Sequence, residues 1–337
     1  MPTALVTGSA GFIGYHVARR LLEEGWQVIG LDALTDYYDV GLKRKRHEML
    51  AGFPGFRAEI ARLETPAVLE VLLAERRPEV VVHLAAQAGV RHSIERPEDY
   101  VNANLIGTFR LLEAVRRQPV RHLLMASTSS VYGAFTEMPF AETACADRPM
   151  SFYAATKKAN EAMAHSYAHL YGVPVTMFRF FTVYGPWGRP DMAHFRFTRA
   201  ILAGVPIDIY NGGNLRRDFT YVDDLTEALW RLLPLAPPRP ESGREPLPGD
   251  SLSPVAPFRI VNIGNAQPVA LMDYIAAIEA ATGVEARKNF LPMQPGDVPA
   301  TWADTALLRA LTGFSPQTPV GEGVARFVAW YRDYYHV

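Results

Sequence analysis

The stretch "TALVTGSAGFIG", residues 3–14, is the strongest indication of the fold in this sequence. It opens as an apolar run, and three glycines then recur at every third position before a helical pattern begins. Glycines allow a tight turn and let backbone amides approach a pyrophosphate at the N-terminus of a helix. Because a strand pattern precedes the glycines and a helix pattern follows, the stretch predicts a dinucleotide-binding loop. The loop residues expected to contact the dinucleotide are Gly8, Gly11, Phe12, Ile13 and Gly14.

Short apolar runs alternate with helical patterns along the first half of the chain. Strand patterns occupy 3–8, 27–32, 80–86, 122–128 and 174–181, and helical patterns occupy 14–25, 104–117 and 155–172. Such alternation is typical of parallel βαβ units. The predicted fold class is therefore α/β, a Rossmann-type doubly wound parallel sheet with a smaller C-terminal α/β substrate domain.

An acidic residue, Asp32, ends the second strand pattern. A carboxylate there accepts hydrogen bonds from both ribose hydroxyls of an adenosine and repels a 2′-phosphate, which favours NAD over NADP. The basic run at 43–47 weakens this preference somewhat. The small residues that end the buried strand at 80–86 let the backbone lie against a cofactor. Further residues expected at this cofactor are Glu59 and Ile60 after the third strand, and Leu84, Ala85, Ala86 and Gln87.

Composition excludes several classes of protein. The chain has 337 residues and a formal net charge of −1, with both signs interspersed, which argues against a nucleic-acid-binding surface or a polybasic membrane patch. The basic run "KRKRH" at 43–47 indicates a solvated helix face. A single cysteine, Cys145, excludes an internal disulfide and a thiolate metal cluster, and no metal site is expected.

The N-terminus enters a strand pattern directly, with no charged leader before it. No apolar stretch approaches the roughly 20 residues that a membrane-spanning helix requires. We therefore expect a soluble cytoplasmic protein with no membrane partner.

Tyr153 and Lys157 are four residues apart in a helical pattern, so their side chains share one face. Ser151 is a suitable N-cap for that helix. A phenol has an unperturbed pKa of about 10, and a nearby ammonium and a nicotinamide cation are expected to lower it. A base poised in this way suits removal of a proton from a secondary alcohol whose hydride passes to NAD.

Several motifs together carry a family resemblance. "TGSAGFIG", "STSSVYG" (127–133) and "YAATK" (153–157) resemble the extended short-chain dehydrogenase/reductase family. The resemblance continues through "FRFFTVYGPWGRPDM", "PIDIYNGGNLRRDFTYVDDL", "VNIGNAQPVALMDYI" and "LPMQPGDVPATWADT". Together these are similar to nucleotide-sugar epimerases, and most similar to the UDP-glucuronate 4-epimerases. The similarity covers nearly the whole chain and fails mainly at 234–257.

The resemblance implies two interleaved domains. Residues 1–178 are expected to form the NAD-binding Rossmann domain, with return segments at about 217–233 and 258–268. Residues 179–337 are expected to form the UDP-sugar-binding domain. The segment 234–257 is rich in Pro, Gly and Ser and lacks an apolar period, so we expect a long surface loop or a partly disordered insertion.

The resemblance also implies roles for individual residues. Thr128 is expected to hydrogen-bond the 4-hydroxyl of the sugar, Tyr153 to act as the base, and Lys157 to act as its partner and to hold the nicotinamide ribose. Asn104 and Ser127 are expected near the cofactor. The residues expected to bind the UDP-sugar are Arg91, Thr128, Ser129, Ser130, Thr182, Arg189, Ile207, Tyr210, Arg217 and Asp297.

Arg189 is the residue expected at the sugar carboxylate, because the planar guanidinium binds a carboxylate through two hydrogen bonds. The alternative for Arg189 is a surface or interface ion pair. Two positions depart from the family pattern. Glu59 stands where Asp is usual, and Gln294 stands where many relatives have Arg, which puts one phosphate contact in doubt.

Four other functions share parts of this pattern. A UDP-glucuronate decarboxylase and a 4,6-dehydratase begin with the same oxidation, but the resembling families place an acid after the catalytic Thr, where this chain has Ser129 and Ser130. A 4-epimerase of neutral sugars (UDP-glucose or UDP-N-acetylglucosamine) would leave Arg189 unused. A non-catalytic NAD-binding regulator would not need Thr128, Tyr153 and Lys157 together. The family expectation for assembly is a homodimer formed through the two long middle helices.

Overall fold

A computed structural model describes residues 1–243, 245–293 and 298–337. Its largest element is a seven-stranded sheet in which every neighbouring pair of strands is parallel. In sequence order the strands are β1 (Thr3–Thr7), β2 (Gln27–Asp32), β3 (Phe56–Ile60), β4 (Val80–His83), β5 (His122–Thr128), β6 (Val175–Phe180) and β10 (Phe258–Ile263). The predicted class, a Rossmann-type α/β fold, is confirmed.

The spatial order of the strands is β3-β2-β1-β4-β5-β6-β10. The chain therefore runs outward from β1 to one edge, and then returns to lay β4 against the other side of β1. Val6 of β1 pairs with Gly30 of β2 on one side and with Val82 of β4 on the other. In open parallel sheets, ligands bind beyond the carboxyl ends of the strands where the order reverses, here between β1 and β4.

Twelve helices accompany the strands in the described residues. They are α1 (Phe12–Glu23), α2 (Val40–Ala51), α3 (Val68–Arg76), α4 (His92–Glu95), α5 (Pro97–Tyr100), α6 (Gly107–Arg117), α7 (Phe152–Tyr171), α8 (Ala193–Leu202), α9 (Val222–Leu232), α10 (Leu271–Thr282), α11 (Ala306–Thr312) and α12 (Val320–Tyr335). A π-helical stretch, Val101–Ile106, joins α5 to α6.

Alternating side chains of the sheet belong to two separate cores. Val6 and Val82 pack with residues of α1 and α9 on one face, whereas Leu5 and Val81 pack with α3, α6 and α7 on the other. Such burial on both faces is expected of a parallel sheet. It explains why these strands read as continuous apolar runs.

The remaining strands form two smaller sheets. β7 (Thr182–Tyr184), β9 (Arg216–Tyr221), β11 (Pro268–Ala270) and β13 (Ala300–Thr301) form one, and β8 (Ile207–Tyr210) pairs in parallel with β12 (Lys288–Leu291). Their core is strongly aromatic: the rings of Phe219 and Tyr274 stack with centroids 3.8 Å apart. Within the segment 217–233, α9 packs against α1 of the large sheet, while β9 belongs to the smaller one.

The Pro-rich segment 234–257 lies along β10, the edge strand of the large sheet. Asp250 forms two hydrogen bonds of 2.9 Å with Arg259, and both side chains are buried. The backbone N–H of Ser253 donates to the carbonyl of Phe258 at 2.9 Å. The described part of this segment is therefore attached to the sheet edge by specific polar contacts.

The expectation that the basic run at 43–47 is solvated holds for Arg44 and Lys45, which are exposed, and was wrong for the other three residues. Lys43, Arg46 and His47 are 6, 0 and 8 % exposed. Arg46 donates to the carbonyl of Ala10 at 2.8 Å and to that of Trp187 at 2.6 Å. Burial is tolerated because these carbonyls replace water as hydrogen-bond acceptors, which the charge pattern alone does not reveal.

Candidate functional site

A cavity of about 280 Å³ lies at the carboxyl ends of the central strands. Its wall combines the glycine loop, the end of β2, the segment after β4 and the start of α7. Of the residues expected to bind cofactor or to act in catalysis, it brings together Gly8, Gly11, Phe12, Ile13, Gly14, Asp32, Leu84, Ala85, Ala86, Gln87, Ser127, Thr128, Tyr153 and Lys157.

Close backbone approach explains the glycines of this loop. A Cβ on Gly14 would lie 2.0 Å from the carbonyl oxygen of Gly8, and a Cβ on Gly8, whose φ is +77°, would lie 2.8 Å from the amide nitrogen of Ala85. In the described part of the chain no side chain caps the N-terminus of α1 at Gly11. The first N–H groups of that helix therefore suit a phosphate.

Asp32 stands beside the loop with its carboxylate fixed. Oδ2 accepts the N–H of Ala10 at 3.0 Å, and Oδ1 accepts that of Leu34 at 2.8 Å. Each carboxylate oxygen has a second acceptor site, so two ribose hydroxyls remain compatible with this arrangement. The nearby Lys43 Nζ donates to the carbonyl of Thr35 at 2.7 Å.

The structure does not bring Glu59 and Ile60 to this cavity, contrary to the expectation for the adenine end. Both lie inside β3, which runs to Ile60, rather than after it. Glu59 pairs with Arg57 at 2.7 Å, and Ile60 is 55 % exposed. The wall is formed instead by the next four residues, 61–64. The sequence estimate placed the strand end too early.

Asn104 supports the cavity from behind. Its Oδ1 accepts the backbone N–H of Gln87 at 2.8 Å, and its Nδ2 donates to the carbonyl of Gln87 and to Thr156 Oγ1, each at 3.1 Å. It lies in the π-helical stretch and is buried. Asn104 thus ties the loop after β4 to α7 without lining the cavity.

Helix α7 carries Tyr153 and Lys157 into the cavity. Ser151 caps the helix, because its Oγ accepts the N–H of Ala154 at 3.1 Å. Lys157 is 3 % exposed and donates to the carbonyl of Ala126, at the end of β5, at 2.7 Å. Burial lowers the pKa of Lys157 to about 8, against the opposing charge of Glu161.

The pKa of Tyr153 differs from the sequence expectation. Burial raises it above 10, while a hydrogen bond with the Thr128 side chain and the positive charge of Arg189 act in the opposite direction. The expected lowering by Lys157 is wrong for this arrangement. The reason is that loss of water around the phenolate outweighs the neighbouring charges.

A buried ion pair behind Ser127 was missed by sequence reasoning. Arg179 Nε and Nη2 donate to the two carboxylate oxygens of Glu161, each at 2.9 Å, and Ser127 Oγ donates to Glu161 Oε1 at 2.6 Å. Two patterns point to it: Glu161 lies four residues after Lys157, and Arg179 interrupts the apolar strand 175–180. A buried arginine requires an acidic partner.

The same network extends to a second buried acid, Glu142. Glu142 accepts the backbone N–H of Asn262 at 2.8 Å, and the Asn262 side chain accepts the hydroxyl of Tyr132 at 2.7 Å. The Arg179 guanidinium lies 4.6 Å from the centroid of the Tyr132 ring. Burial raises the pKa of Glu142 to about 7.

The hydroxyl loop 127–133 continues from β5 into a 3₁₀ turn at Ser129–Tyr132. Thr128 Oγ1 accepts the N–H of Ser130 at 3.2 Å. Ser129 and Ser130 line a cavity of about 180 Å³ together with Thr182 and Arg217. Among the described residues of that cavity there is no acidic side chain.

A third cavity, of about 810 Å³, adjoins the other two. It shares Tyr37, Arg189 and Met192 with the first, and Val90, Thr182 and Arg217 with the small one. Six of the ten residues that the family resemblance assigns to the UDP-sugar line its wall, namely Arg91, Thr182, Arg189, Ile207, Tyr210 and Arg217.

Two of these residues contact each other: the guanidinium of Arg91 lies 5.1 Å from the centroid of the Tyr210 ring. Arg217 donates to the carbonyl of Pro299 at 3.2 Å. Asp297, also expected at the substrate, and Gln294 lie outside the described residues.

Arg189 lies where the first and third cavities join. It forms a bidentate ion pair with Asp191, with Nε–Oδ1 at 3.0 Å and Nη2–Oδ2 at 2.6 Å. Arg189 therefore lines the cavities that contain the other expected site residues, and it is also engaged in an ion pair. The charge of Arg189 also acts on Tyr153, as its effect on the pKa of that phenol indicates.

Among the described residues, no cluster of three or more His, Cys, Asp or Glu side chains is arranged to hold a metal ion. In the same part of the chain, no helix has both the length and the apolar character needed to cross a membrane.

Residues 4–242 match the model of the NAD dependent epimerase/dehydratase family, and the chain belongs to this family. It is 56 % identical over 331 residues to a probable UDP-glucuronate 4-epimerase of Rhizobium meliloti (strain 1021), covering 98 % of this chain and 97 % of that protein. It is 44 % identical to UDP-glucuronate 4-epimerase 1 of Arabidopsis thaliana, covering 99 % of this chain and 77 % of the plant protein.

The fold is similar to a crystal structure of the UDP-glucuronic acid 4-epimerase of Bacillus cereus in complex with UDP-glucuronic acid and NAD. The TM-score is 0.85 at 31 % sequence identity, and the match covers 99 % of this chain and all of that one.

The raised pKa of Glu142 predicts a specific pH dependence of stability. The carboxyl group titrates near 4.5 when unfolded and near 7 when folded, so between these values the folded state binds more protons. The stabilisation of the folded state by the Glu142 proton is complete below the unfolded pKa and is lost as the pH rises through the folded pKa. The free energy of unfolding of the wild type, relative to Glu142→Gln, is expected to fall by about 2–3 kcal/mol between pH 5 and pH 8.

Urea denaturation at the two pH values measures this difference. Glu137→Gln, at an exposed carboxylate on the same loop, is the matched control and is expected to follow the wild type. An equal pH dependence in the wild type and in Glu142→Gln would show that Glu142 does not titrate as the structure indicates.

Proposed function

We propose that this protein is a nucleotide-sugar 4-epimerase that interconverts UDP-glucuronate and UDP-galacturonate with tightly bound NAD. The main support for the proposal is the set of residues found where the cavities join. There, Tyr153 and Thr128 stand beside Arg189, and the adjoining turn presents neutral Ser129 and Ser130. The named activities of the relatives and of the Bacillus cereus enzyme support the same reaction.

The first cavity fits NAD on its own features. The open N-terminus of α1 suits the pyrophosphate, and the fixed carboxylate of Asp32 suits the adenosine ribose. Lys157, in the wall of the same cavity, would hold the nicotinamide ribose. Bound NAD supplies a hydride acceptor that is regenerated at the end of the cycle. Arg91, Ile207, Tyr210 and Arg217 suit the UDP portion in the large cavity, as would Asp297.

In the proposed mechanism Tyr153 removes the proton from O4 of the sugar as C4 is oxidised. Thr128 hydrogen-bonds O4 and orients it. The resulting 4-keto sugar rotates within the site, and Tyr153 returns the proton after reduction at the opposite face. Burial opposes ionisation of Tyr153, whereas the hydrogen bond with Thr128 and the charge of Arg189 favour its phenolate, as a bound nicotinamide cation would. Since the sugar must turn, we expect most of the binding energy to come from UDP.

The neutral hydroxyls distinguish this reaction from its rivals. A 4-keto uronate readily loses CO₂, and a 4,6-dehydratase needs an acid and a base near C5 and C6. Ser129 and Ser130 can hold the sugar carboxylate by hydrogen bonds without supplying either group. Arg189 favours a uronate over the neutral UDP-glucose or UDP-N-acetylglucosamine, because a neutral sugar offers it no carboxylate.

The products formed from UDP-glucuronate test this proposal. Incubation with the NAD-loaded protein is expected to give UDP-galacturonate, without net NADH, in the proton NMR spectrum. Tyr153→Phe is expected to lower turnover by at least about 100-fold while NAD stays bound, because removal of a general base costs this much.

UDP-pentose and CO₂ as the main products would contradict the proposal and indicate a decarboxylase. Binding of NAD without turnover of any UDP-hexose or UDP-uronate would favour a non-catalytic regulator. Normal turnover by Tyr153→Phe would exclude that residue as the base.

We further propose that the protein acts in the cytoplasm as a homodimer formed through α6 and α7. The low cysteine content suits a reducing compartment. Large apolar side chains are exposed where these helices begin, with Ile106, Phe109 and Phe152 at 39, 41 and 39 % exposure. Exposed apolar patches mark association surfaces.

Sedimentation equilibrium tests the dimer. The wild type is expected at twice the chain mass, and Phe109→Asp at the chain mass or in concentration-dependent exchange, because a charge in an apolar interface is costly. Phe290→Asp, at a residue of β12 that is 55 % exposed, is the control and should leave the mass unchanged. A monomeric wild type, or a fully dimeric Phe109→Asp, would contradict the proposal.

A further inference from the structure

The Arg189–Asp191 ion pair is placed at the point where sugar selectivity is decided. Arg189 lines both the first and the largest cavity, and Asp191 lines the largest. The side chains are only partly buried, at 23 and 32 % exposure, so a ligand can reach them. The pair is thus in the wall that the substrate meets, and not on the outer surface.

Asp191 has a second partner from a distant part of the chain. Tyr37, in the loop between β2 and α2, donates its hydroxyl to Asp191 Oδ2 at 3.2 Å. The Tyr37 hydroxyl in turn fits against Gly89, where a Cβ would lie 2.6 Å from it at a φ of +107°. The carboxylate of Asp191 is therefore held in one position by donors on two loops.

The ion pair with Asp191 does not use all the N–H donors of the Arg189 guanidinium. A guanidinium has five N–H donors in a planar fork, and Asp191 engages Nε and one N–H of Nη2. A carboxylate on the sugar therefore either shares the guanidinium with Asp191 or displaces it. In both cases two carboxylates approach one another, which is unfavourable. A neutral sugar leaves the original pair intact.

We propose that Asp191 is a positioning residue that limits the preference of the site for uronates. It holds Arg189 when the sugar is neutral and competes for Arg189 when the sugar carries a carboxylate. This inference rests on the proposed function of the same site. Selectivity is a difference between two binding free energies. Asp191 narrows that difference, because it pairs Arg189 in the complex with a neutral sugar and repels the uronate.

Removing the charge of Asp191 should change uronate binding in the opposite direction to the loss of an ordinary structural ion pair. Removing the charge of Asp191 while keeping its shape should strengthen binding of the uronate, because Arg189 is released to the substrate. It should weaken binding of the neutral sugar, which then leaves the guanidinium without a carboxylate. A pair that merely anchors Arg189 would lose uronate affinity instead.

The experiment measures dissociation constants by calorimetry in the NAD-loaded Tyr153→Phe protein, where turnover does not interfere. The ligands are UDP-glucuronate, UDP-glucose and UDP. With Asp191→Asn added, the ratio of the UDP-glucose constant to the UDP-glucuronate constant is expected to rise about 2- to 5-fold, the range of a partly exposed ion pair. Binding of UDP should stay unchanged, since UDP lacks the hexose that would reach Arg189.

Three further variants sharpen the result. Asp191→Glu restores the charge and should return the ratio toward the reference. Tyr37→Phe, which loosens Asp191 without removing it, should raise the ratio less than Asp191→Asn and serves if that variant does not fold. Asp36→Asn removes an exposed charge from the same loop as Tyr37 and should leave the ratio unchanged.

The outcomes separate the two proposals. If the wild type epimerises UDP-glucuronate but Asp191→Asn leaves the ratio unchanged or lowers it, the role of Asp191 is refuted and the proposed function stands. If the affinity for all three ligands rises by the same factor, the cause is a general electrostatic effect, and the role of Asp191 is also refuted. If the wild type epimerises UDP-glucuronate but the Tyr153→Phe reference does not prefer it over UDP-glucose, the role of Asp191 is refuted and the proposed function stands. If the wild type does not epimerise UDP-glucuronate, the proposed function fails.

Discussion

The buried junction between α7 and the end of β5 is the interaction on which the site depends. Lys157 donates to the carbonyl of Ala126, and one helical turn later Glu161 accepts the hydroxyl of Ser127. Two consecutive residues of the strand are thereby fixed to one face of the helix. The helix also carries Tyr153, so the same contacts set the position of the phenol relative to Thr128. Arg179 neutralises Glu161 and makes its burial tolerable.

The three adjoining cavities divide the chemical work among different parts of the fold. In the proposed function the dinucleotide binds at the switch point of the large sheet, where backbone amides and a fixed carboxylate meet. The large cavity, built mainly from the second half of the chain, suits the nucleotide of the substrate. In the part of the chain that the structure describes, Tyr37, Arg189 and Met192 line both of these cavities, at their junction. Such a division lets a sugar turn while its UDP stays bound.

Most of the large sheet could be predicted, because a parallel sheet buried on both faces leaves continuous apolar runs. The strands at 27–32 and 122–128 have the predicted bounds. The glycine loop was predictable because close backbone contacts admit only glycine. The end of β3 was not, since nothing in the pattern around Ile60 marks where the strand stops.

The burial of polar side chains, with the partners that satisfy them, could not be predicted from the sequence. Arg46 belongs to a basic run, and only the fold supplies the carbonyls of Ala10 and Trp187 that satisfy it. The partner of Arg189 is two residues away, yet the position of that partner depends on Tyr37, far earlier in the chain. Networks that join distant segments leave no periodic trace, and they decide the electrostatics of the site.

Epimerisation by transient oxidation requires that the hydrogen removed from C4 return to the same carbon within one site. UDP-glucuronate carrying deuterium at C4 tests it most directly, with the label in the product located by NMR and mass spectrometry. UDP-galacturonate is expected to retain the deuterium at C4 in ordinary water. Product with protium at C4, in exchange with solvent or with added NADH, would contradict it.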